Sequence, residues 1–290
     1  MDLEKMIRGK IFRDEHLSKH SSFGIGGKAD YFALPYDLED VKTLFSFARE
    51  SKIGLKVIGN GTNILFRDEG FRGMVMELPF RHWTTHGDRV TAGAATPLTI
   101  LIMRTIRQGL AGLEPLSGIP GTVGGSIITN AGTVAGDASG VFHSLRGFDT
   151  DGNPVELKRE EVEFSYRKSS IPKSLLILEV SYLLHRRDPH ECEIIVRDLL
   201  RRRKETQPTQ VKNVGCIFKN PNGFYAGKLI DEVGLKGTRV GNAEVSLIHG
   251  NFILNQKGAT SREVLELIQL IQERVKKERG IQLELEIEIV

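Results

Sequence analysis

The chain is nearly without cysteine: Cys192 and Cys216 are the only two among 290 residues. Two cysteines cannot build a disulfide framework or a Cys-rich zinc site, and they suit a reducing cytoplasm. Long apolar runs are missing too. The longest, Leu175–Leu184, is interrupted by Glu179 and Ser181 and falls short of the roughly 18 residues that a membrane span requires. The N-terminal stretch MDLEKMIRGKIFRDEH is charged and has no apolar centre, which argues against a signal peptide. Charge of one sign is also lacking. Lys plus Arg is 40 and Asp plus Glu is 37, a balance of +3 that lacks the clustered excess of a nucleic-acid binder. Two phosphate fingerprints are absent. G-x-G-x-x-G fails at Ile64, and a P-loop fails because Leu229, not Ser or Thr, follows Gly227-Lys228. No metal site is expected.

What is present is a globular composition, 40% hydrophobic and 27% charged, enough for a sizeable core and about two domains. Residues 30–66 read as a βαβ unit. Tyr31–Leu34 is a strand, and Asp37 caps a helix carrying Leu38, Val41, Leu44, Phe45 and Ala48 that stops at Gly54. Leu55–Ile58 is the next strand. Further strands are expected at Val75–Leu78, Arg89–Ala92, Leu145–Thr150, Val155–Leu157 and Leu175–Leu184. Thr96 and Pro97 read as the N-cap and first position of a helix with Leu101, Ile102, Thr105 and Ile106 inward, ending at Gly109. Asp188-Pro189 marks a domain boundary.

Beyond it, Glu191–Lys204 reads as a helix with Cys192, Ile195, Val196, Leu199 and Leu200 on one face. Arg197, Arg201, Arg202, Arg203 and Lys204 lie on the other, either a solvated face or a phosphate site. Thr260-Ser261-Arg262-Glu263 is a capping box opening a helix with Val264, Leu267, Ile268, Ile271 and Val275 inward, stopped by Gly280. The C-terminus alternates strictly: Ile281, Leu283, Leu285, Ile287 and Ile289 on one face, Gln282, Glu284, Glu286 and Glu288 on the other.

Glycine is the abundant oddity, with 31 residues unevenly spread. Gly59-Asn60-Gly61-Thr62-Asn63 follows a strand. Its glycines permit positive φ and close approach of backbone N–H groups to an anion, or serve an ordinary tight turn. Ser117–Gly132 places five glycines in 16 residues, interleaved with Ile and Val. Each costs about 0.5–1 kcal/mol against alanine in an ordered segment, so the stretch reads as moulded to a flat ligand. Together the two loops suggest a phosphate grip and a ring cradle, for a nucleotide or a flavin.

Six strings in order then carry a resemblance: GNGTNIL (59–65), SGIPGTVGGSIITNAG (117–132), SYRKSS (165–170), GCIFKNP (215–221), GLKG (234–237) and HGNFILN (249–255). The chain resembles the UDP-N-acetylenolpyruvoylglucosamine reductase family from about Ser21 to Glu288. The resemblance implies an α+β fold: a vanillyl-alcohol-oxidase-type FAD-binding domain of two α+β subdomains over 1–188, with their boundary near 78, and an α/β substrate-binding domain over 189–290. It implies bound FAD, NADPH as electron donor, and a sugar-nucleotide substrate whose enolpyruvyl group receives a hydride at its terminal carbon and a proton at the adjacent one. It further implies a cytoplasmic monomer with no nucleic-acid or membrane partner.

By the same resemblance, Ile58, Gly59, Asn60, Gly61, Thr62, Asn63 and Ile64 would hold the FAD diphosphate. Gly118, Ile119, Pro120, Gly124, Gly125, Ser126, Asn130 and Gly132 would wrap the ring. Arg167, next to Tyr166, would bind the substrate carboxylate. Tyr166, Lys219, Asn220 and Lys228 would line the substrate. Glu286 matches the catalytic glutamate, and Cys216 stands where the family usually has a proton-donating serine. Spacing alone would make Arg167 a surface ion-pair residue and Cys216 a buried hydrophobe. It would not choose Glu286 over Glu284 or Glu288, and His249 reads as a structural histidine. Thr62 replaces the commoner serine and keeps the hydroxyl. The short stretch between Arg167 and Cys216 places the chain with members that lack a tyrosine-bearing insertion, so a more open site is expected.

Overall fold

A computed structural model describes residues 3–290; Met1 and Asp2, the start of the charged N-terminal stretch, lie outside the described residues. The chain forms two compact units. The first comprises residues up to Ile11, Ala33–Gly59 and Met76–Arg203. The second comprises Phe12–Phe32, Asn60–Val75 and Lys204–Val290. These units differ from the contiguous division at residue 188 expected from the sequence, because two early segments, 12–32 and 60–75, fold with the C-terminal third.

The first unit is built on an antiparallel sheet of five strands, in the order Pro154–Lys158, Phe142–Phe148, Leu176–Leu183, Arg89–Gly93, Trp83–His86. Its central strand buries Leu176, Ile177, Val180 and Tyr182, and Tyr182 lies opposite both Val90 and Phe142. Helix α1 (Leu38–Glu50) is capped as expected, the Asp37 carboxylate accepting from the N–H groups of Glu39 and Asp40. It ends at Ser51, short of Gly54, which instead begins the strand Gly54–Ile58. Asp40 is buried at its first turn and accepts from the backbone N–H groups of Arg8, Gly9 and Tyr36.

Helix α2 (Leu98–Arg107) buries the four residues expected, yet Thr96 does not cap it. The Thr96 hydroxyl donates to His82 O at 3.0 Å, and Pro97 occupies the cap position. Helix α3 (Val123–Ile128) lies inside the stretch read as loop and packs on the strand Leu176–Leu183. Thr122 makes it possible by capping the N–H of Gly125. Helix α4 (Pro189–Thr206) buries Cys192 and Val196, but Leu200, expected inward, is exposed.

The second unit gathers Phe23, Ile25 and Leu65 into one core with Val214, Phe218, Leu267, Ile271 and Ile287. Helix α5 (Ala226–Glu232), helix α6 (Ser261–Arg279) and a three-stranded antiparallel sheet, Arg239–Val240, Ala243–Val245, Ile253–Asn255, surround it. α6 follows its sequence signals closely. Thr260 and Glu263 form the capping box, five expected apolar residues are buried, and Gly280 closes the helix at φ +70. The C-terminal segment is less regular than its alternation suggests: only Glu288–Ile289 forms a strand, with one isolated bridge between Leu285 and Phe218. That strand pairs in parallel with Ile64–Leu65, Glu288 opposite Ile64 and Ile289 opposite Leu65. Among the described residues, no helix is long and apolar enough to cross a membrane, and no cluster of His, Cys, Asp or Glu suits a metal ion.

Candidate active site

In the first unit, Arg167 occupies a two-residue hairpin turn. Phe164–Ser165 pairs with Lys168–Ser169, leaving Tyr166 and Arg167 at the tip. Arg167 has φ +55, a left-handed conformation costing a residue with a side chain about 1–2 kcal/mol. Three hydrogen bonds hold the hairpin to the glycine-rich stretch. Asn130 Nδ2 donates to Ser165 O at 3.0 Å, Ser169 Oγ to Ile128 O at 2.8 Å, and Arg167 Nη2 to Gly132 O at 2.7 Å. The guanidinium also lies 5.1 Å from the Tyr166 ring centroid. The structure thus brings Tyr166 and Arg167 to Ser117–Gly132, although more than thirty residues separate them in the chain. Neither Ser169 nor the Asn130 contact has a local sequence signal, because each bond joins elements far apart in the chain.

The expected ring-cradle residues fall into two groups. Some glycines answer to the fold itself. A Cβ on Gly124 would lie 3.0 Å from Ala94 Cβ, one on Gly132 would lie 2.5 Å from Asp137 Cβ, and Gly118, at φ +79, lies against Arg203 and Leu200 of α4. Asn130, at φ +43 and buried, has both ends of its amide engaged, donating to Ser165 O and accepting from Ser139 N. Gly125 is different. It is exposed, and a Cβ there would meet nothing closer than Thr122 Oγ1 at 3.4 Å. Packing does not require a glycine at that position, whereas a flat ring lying on the backbone does. Close by in sequence, Ser117 Oγ is buried without a hydrogen-bond partner, a donor left for a bound group. Both observations fit a flavin-sized ligand. Ser117 was not expected from sequence, since an orphaned hydroxyl is visible only in three dimensions. Beneath α3, burial pushes the Tyr182 phenol far above its usual range, and the Ser126 hydroxyl acts in the opposite direction.

The first glycine loop begins in this unit. A Cβ on Gly59 would lie 2.6 Å from Thr122 Oγ1, so the start of that loop abuts the cap of α3. Its continuation, Asn60–Ile64, belongs to the second unit. Asn60 is exposed, Thr62 and Asn63 are half-buried, and Ile64 is buried. Gly61 is required by packing: at φ +60, a Cβ would sit 2.0 Å from His20 O.

The second unit carries the other polar candidates. Lys219 N–H donates to Glu284 O and Glu286 N–H to Ile217 O, each at 2.8 Å, flanking the bridge of Phe218 with Leu285. Alternation across this short antiparallel ladder puts Lys219, Glu284 and Glu286 on one face. Lys219 Nζ lies 3.7 Å from the exposed Glu284 carboxylate, and Glu286 is half-buried. Cys216 is half-buried just before the ladder, after Gly215 at φ +82. Asn220 Oδ1 accepts from the Ala226 N–H at the start of α5, and Lys228, on α5, pairs with Glu232 at 3.8 Å. His249 is held by structural contacts. Its Nδ1 accepts from Asn251 N–H, its ring meets Phe252 edge-on, and burial first, then Lys236, draws its pKa below the usual value. The other cysteine is of a different kind: burial first, then the Glu114 carboxylate, push the Cys192 thiol up to about 11.

Residues 29–158 match the FAD binding domain family, and residues 207–290 match the C-terminal domain family of UDP-N-acetylenolpyruvoylglucosamine reductase. The chain is 39% identical over 293 residues to the UDP-N-acetylenolpyruvoylglucosamine reductase of Clostridium botulinum strain Hall, covering 100% of this chain and 96% of the relative. It is 39% identical over 292 residues to that of Moorella thermoacetica, covering 99% and 96%. The crystal structure of UDP-N-acetylenolpyruvylglucosamine reductase from Thermus caldophilus superposes with a TM-score of 0.84 at 38% identity, over 98% of this chain and 99% of that one. The BBE-like 1 protein of Physcomitrella patens shares the fold alone, with a TM-score of 0.50 at 14% identity over 63% of this chain and 43% of that one. The fold class is therefore the expected one, a vanillyl-alcohol-oxidase-type FAD-binding domain with a C-terminal domain of mixed helix and sheet. With the glycine loops, the uncovered backbone at Gly125 and the full-length matches together, the chain belongs to the UDP-N-acetylenolpyruvoylglucosamine reductase family of FAD-dependent oxidoreductases.

Proposed function

We propose that this chain reduces UDP-N-acetyl-3-O-(1-carboxyvinyl)-glucosamine to UDP-N-acetylmuramate, a step toward peptidoglycan precursors, with NADPH as electron donor. In this reading the cofactor is held mainly by residues within 1–188 and the substrate mainly by residues within 189–290, with Tyr166 and Arg167 added from the former, and the protein works as a cytoplasmic monomer on a small sugar nucleotide. FAD, when bound, supplies the hydride. Ile58–Ile64 and the Gly118–Gly132 stretch are the segments that would hold it.

The observation that carries the reading is the placement of Arg167, held in a left-handed turn and tied to the glycine-rich stretch at Gly132 O. Strain of this kind persists only where surrounding contacts fix it. Hydride addition to the enol ether builds negative charge on the conjugated carboxylate. A fixed guanidinium fork is suited to stabilise that charge. The proton for the adjacent carbon must come from a neutral, positioned acid. Cys216 fills that role: a thiol is, as a class, a stronger acid than the hydroxyl it replaces and is largely protonated at neutral pH. Glu286 supplies a carboxylate on the face it shares with Lys219, its N–H donating to the carbonyl of Ile217, the residue after Cys216. Lys219, Asn220, Lys228 and Tyr166 line the sugar nucleotide, the lysines offering charge to its diphosphate.

Anaerobic stopped-flow absorbance separates the two halves. NADPH bleaches the flavin band and the enolpyruvyl substrate restores it. Cys216→Ala slows restoration by about 10²–10⁴, the usual range for losing a general acid, and Cys216→Ser recovers much of the loss. Restoration at the normal rate in Cys216→Ala overturns the proton-donor assignment. Restoration by air alone, with no response to the substrate, overturns the reductase reading.

A further inference from the structure

Asn63 closes the first glycine loop, and its contacts run toward Glu286. Its side-chain Nδ2 donates to Glu286 O at 3.1 Å, and its backbone carbonyl accepts from Glu288 N–H at 3.0 Å. The parallel pairing that follows joins Glu288 to Ile64 and Ile289 to Leu65, with Val290 N–H donating to Leu65 O at 3.0 Å. Gly61, at φ +60 with no room for a Cβ beside the His20 carbonyl, precedes Asn63 by two residues. The side-chain amide of Asn63 adds a bond beyond the backbone pairs of the ladder. On the opposite edge, Glu286 N–H donates to Ile217 O. Both backbone groups of Glu286 are therefore engaged, one by the chain segment that bears Cys216 and one by Asn63.

We infer that Asn63 is a positioning residue for Glu286, setting where its carboxylate stands for the substrate half of the reaction. The inference rests on the proposed participation of Glu286 in that half. Glu286 lies in a segment with little regular structure, so these two ties from opposite sides fix its backbone dihedrals. Displacement of a reacting group by about 1 Å costs on the order of 10² in rate. Asn63 thus links the loop assigned to the cofactor diphosphate with the residue assigned to the substrate.

The test compares the two half-reactions in Asn63→Asp, which keeps the size but turns an oxygen toward the Glu286 carbonyl, and in Asn63→Ser, which keeps a donor. Flavin content is followed by absorbance and FAD affinity by fluorescence quenching. In Asn63→Asp, the ratio of substrate-driven restoration to NADPH-driven bleaching falls by about 10², and the pH profile of restoration moves. Asn63→Ser recovers part of both. If both half-reactions fall together as FAD dissociates, or if neither ratio nor pH profile changes, the positioning role is overturned. Glu286→Gln, measured in parallel, separates the two claims. A normal restoration rate there overturns the role of Glu286 and this inference with it. Slow restoration in Glu286→Gln beside an unchanged Asn63→Asp overturns the positioning role alone.

Discussion

In the loop that ends at Asn63, the glycines answer to neighbouring chain: Gly59 makes room for the Thr122 hydroxyl, and Gly61 for the His20 carbonyl. In the stretch from Ser117 to Gly132, Gly124 and Gly132 answer to the fold in the same way, but Gly125 is exposed and a Cβ there would make only an ordinary contact with Thr122 Oγ1 at 3.4 Å. The two segments also end alike, each with an asparagine that reaches a residue assigned to chemistry or its hairpin. Asn130 is buried and fixes the hairpin of Arg167 through Ser165, while Asn63 is half-buried and holds Glu286. Glycine abundance therefore joins positions that neighbouring chain demands with one, Gly125, that it does not. Only the surroundings of each glycine separate them.

The largest test of this contrast lies at Arg167. Arg167→Lys keeps the charge but loses the planar fork. It should lower substrate-driven restoration of the flavin band by about 10²–10³, comparable to removing one transition-state donor, while thermal stability changes little. A correspondingly large drop in melting temperature would make Arg167 a structural residue instead.

Gly61→Ala and Gly125→Ala should then behave oppositely. At Gly61 the methyl meets backbone at a positive φ, so strain and overpacking together cost about 2–4 kcal/mol in chemical denaturation. At Gly125 an alanine favours the helix by up to about 1 kcal/mol, so apoprotein stability holds or rises while FAD binding weakens. Equal effects of the two alanines on the apoprotein would erase the distinction drawn here.

Asn130→Ala removes the side-chain donor to Ser165 O and one of the two acceptors of Ser139 N–H, which keeps Asp137 Oδ1. It should cost about 1–3 kcal/mol, read by denaturant unfolding, and loosen the hairpin of Arg167. The smallest expected effect concerns His249. Its pKa is lowered in the fold, by burial first and Lys236 second, so below about pH 6.5 the unfolded chain takes up a proton that the folded one resists. The contribution is fully present above that value and is lost as pH falls toward the lower folded pKa. His249→Asn should flatten this part of the stability–pH curve, and an unchanged slope would show that His249 does not titrate against the fold.

Local chemistry was legible wherever cause and effect lay within a few residues. Asp37 and the Thr260–Glu263 box cap the helices they announce, and Gly280 ends α6. The burial of α2 and α6 follows apolar spacing, because an amphipathic helix has one way to face a core. Reading failed where a distant partner changed the outcome. Thr96 gives its hydroxyl to His82 O in place of capping α2, and α3 forms in a glycine-rich stretch because it has Thr122 as cap and the strand Leu176–Leu183 beneath it.

The amino-acid order alone thus determined the helices α1, α2, α4 and α6, the longer strands of the first unit's sheet apart from Trp83–His86 and, through six short strings, the family and the candidate residues. The gathering of those residues was decided in three dimensions. Parallel pairing of Glu288–Ile289 with Ile64–Leu65, and docking of the Tyr166–Arg167 hairpin on Asn130, Ile128 and Gly132, join segments whose sequences carry no mark of each other. Alternation in the last ten residues could not choose among three glutamates. In three dimensions Glu286 differs from its two neighbours in that its carbonyl accepts from the amide of Asn63, because hydrogen bonds between remote segments depend on where the chain passes and not on the side chains that alternate along it.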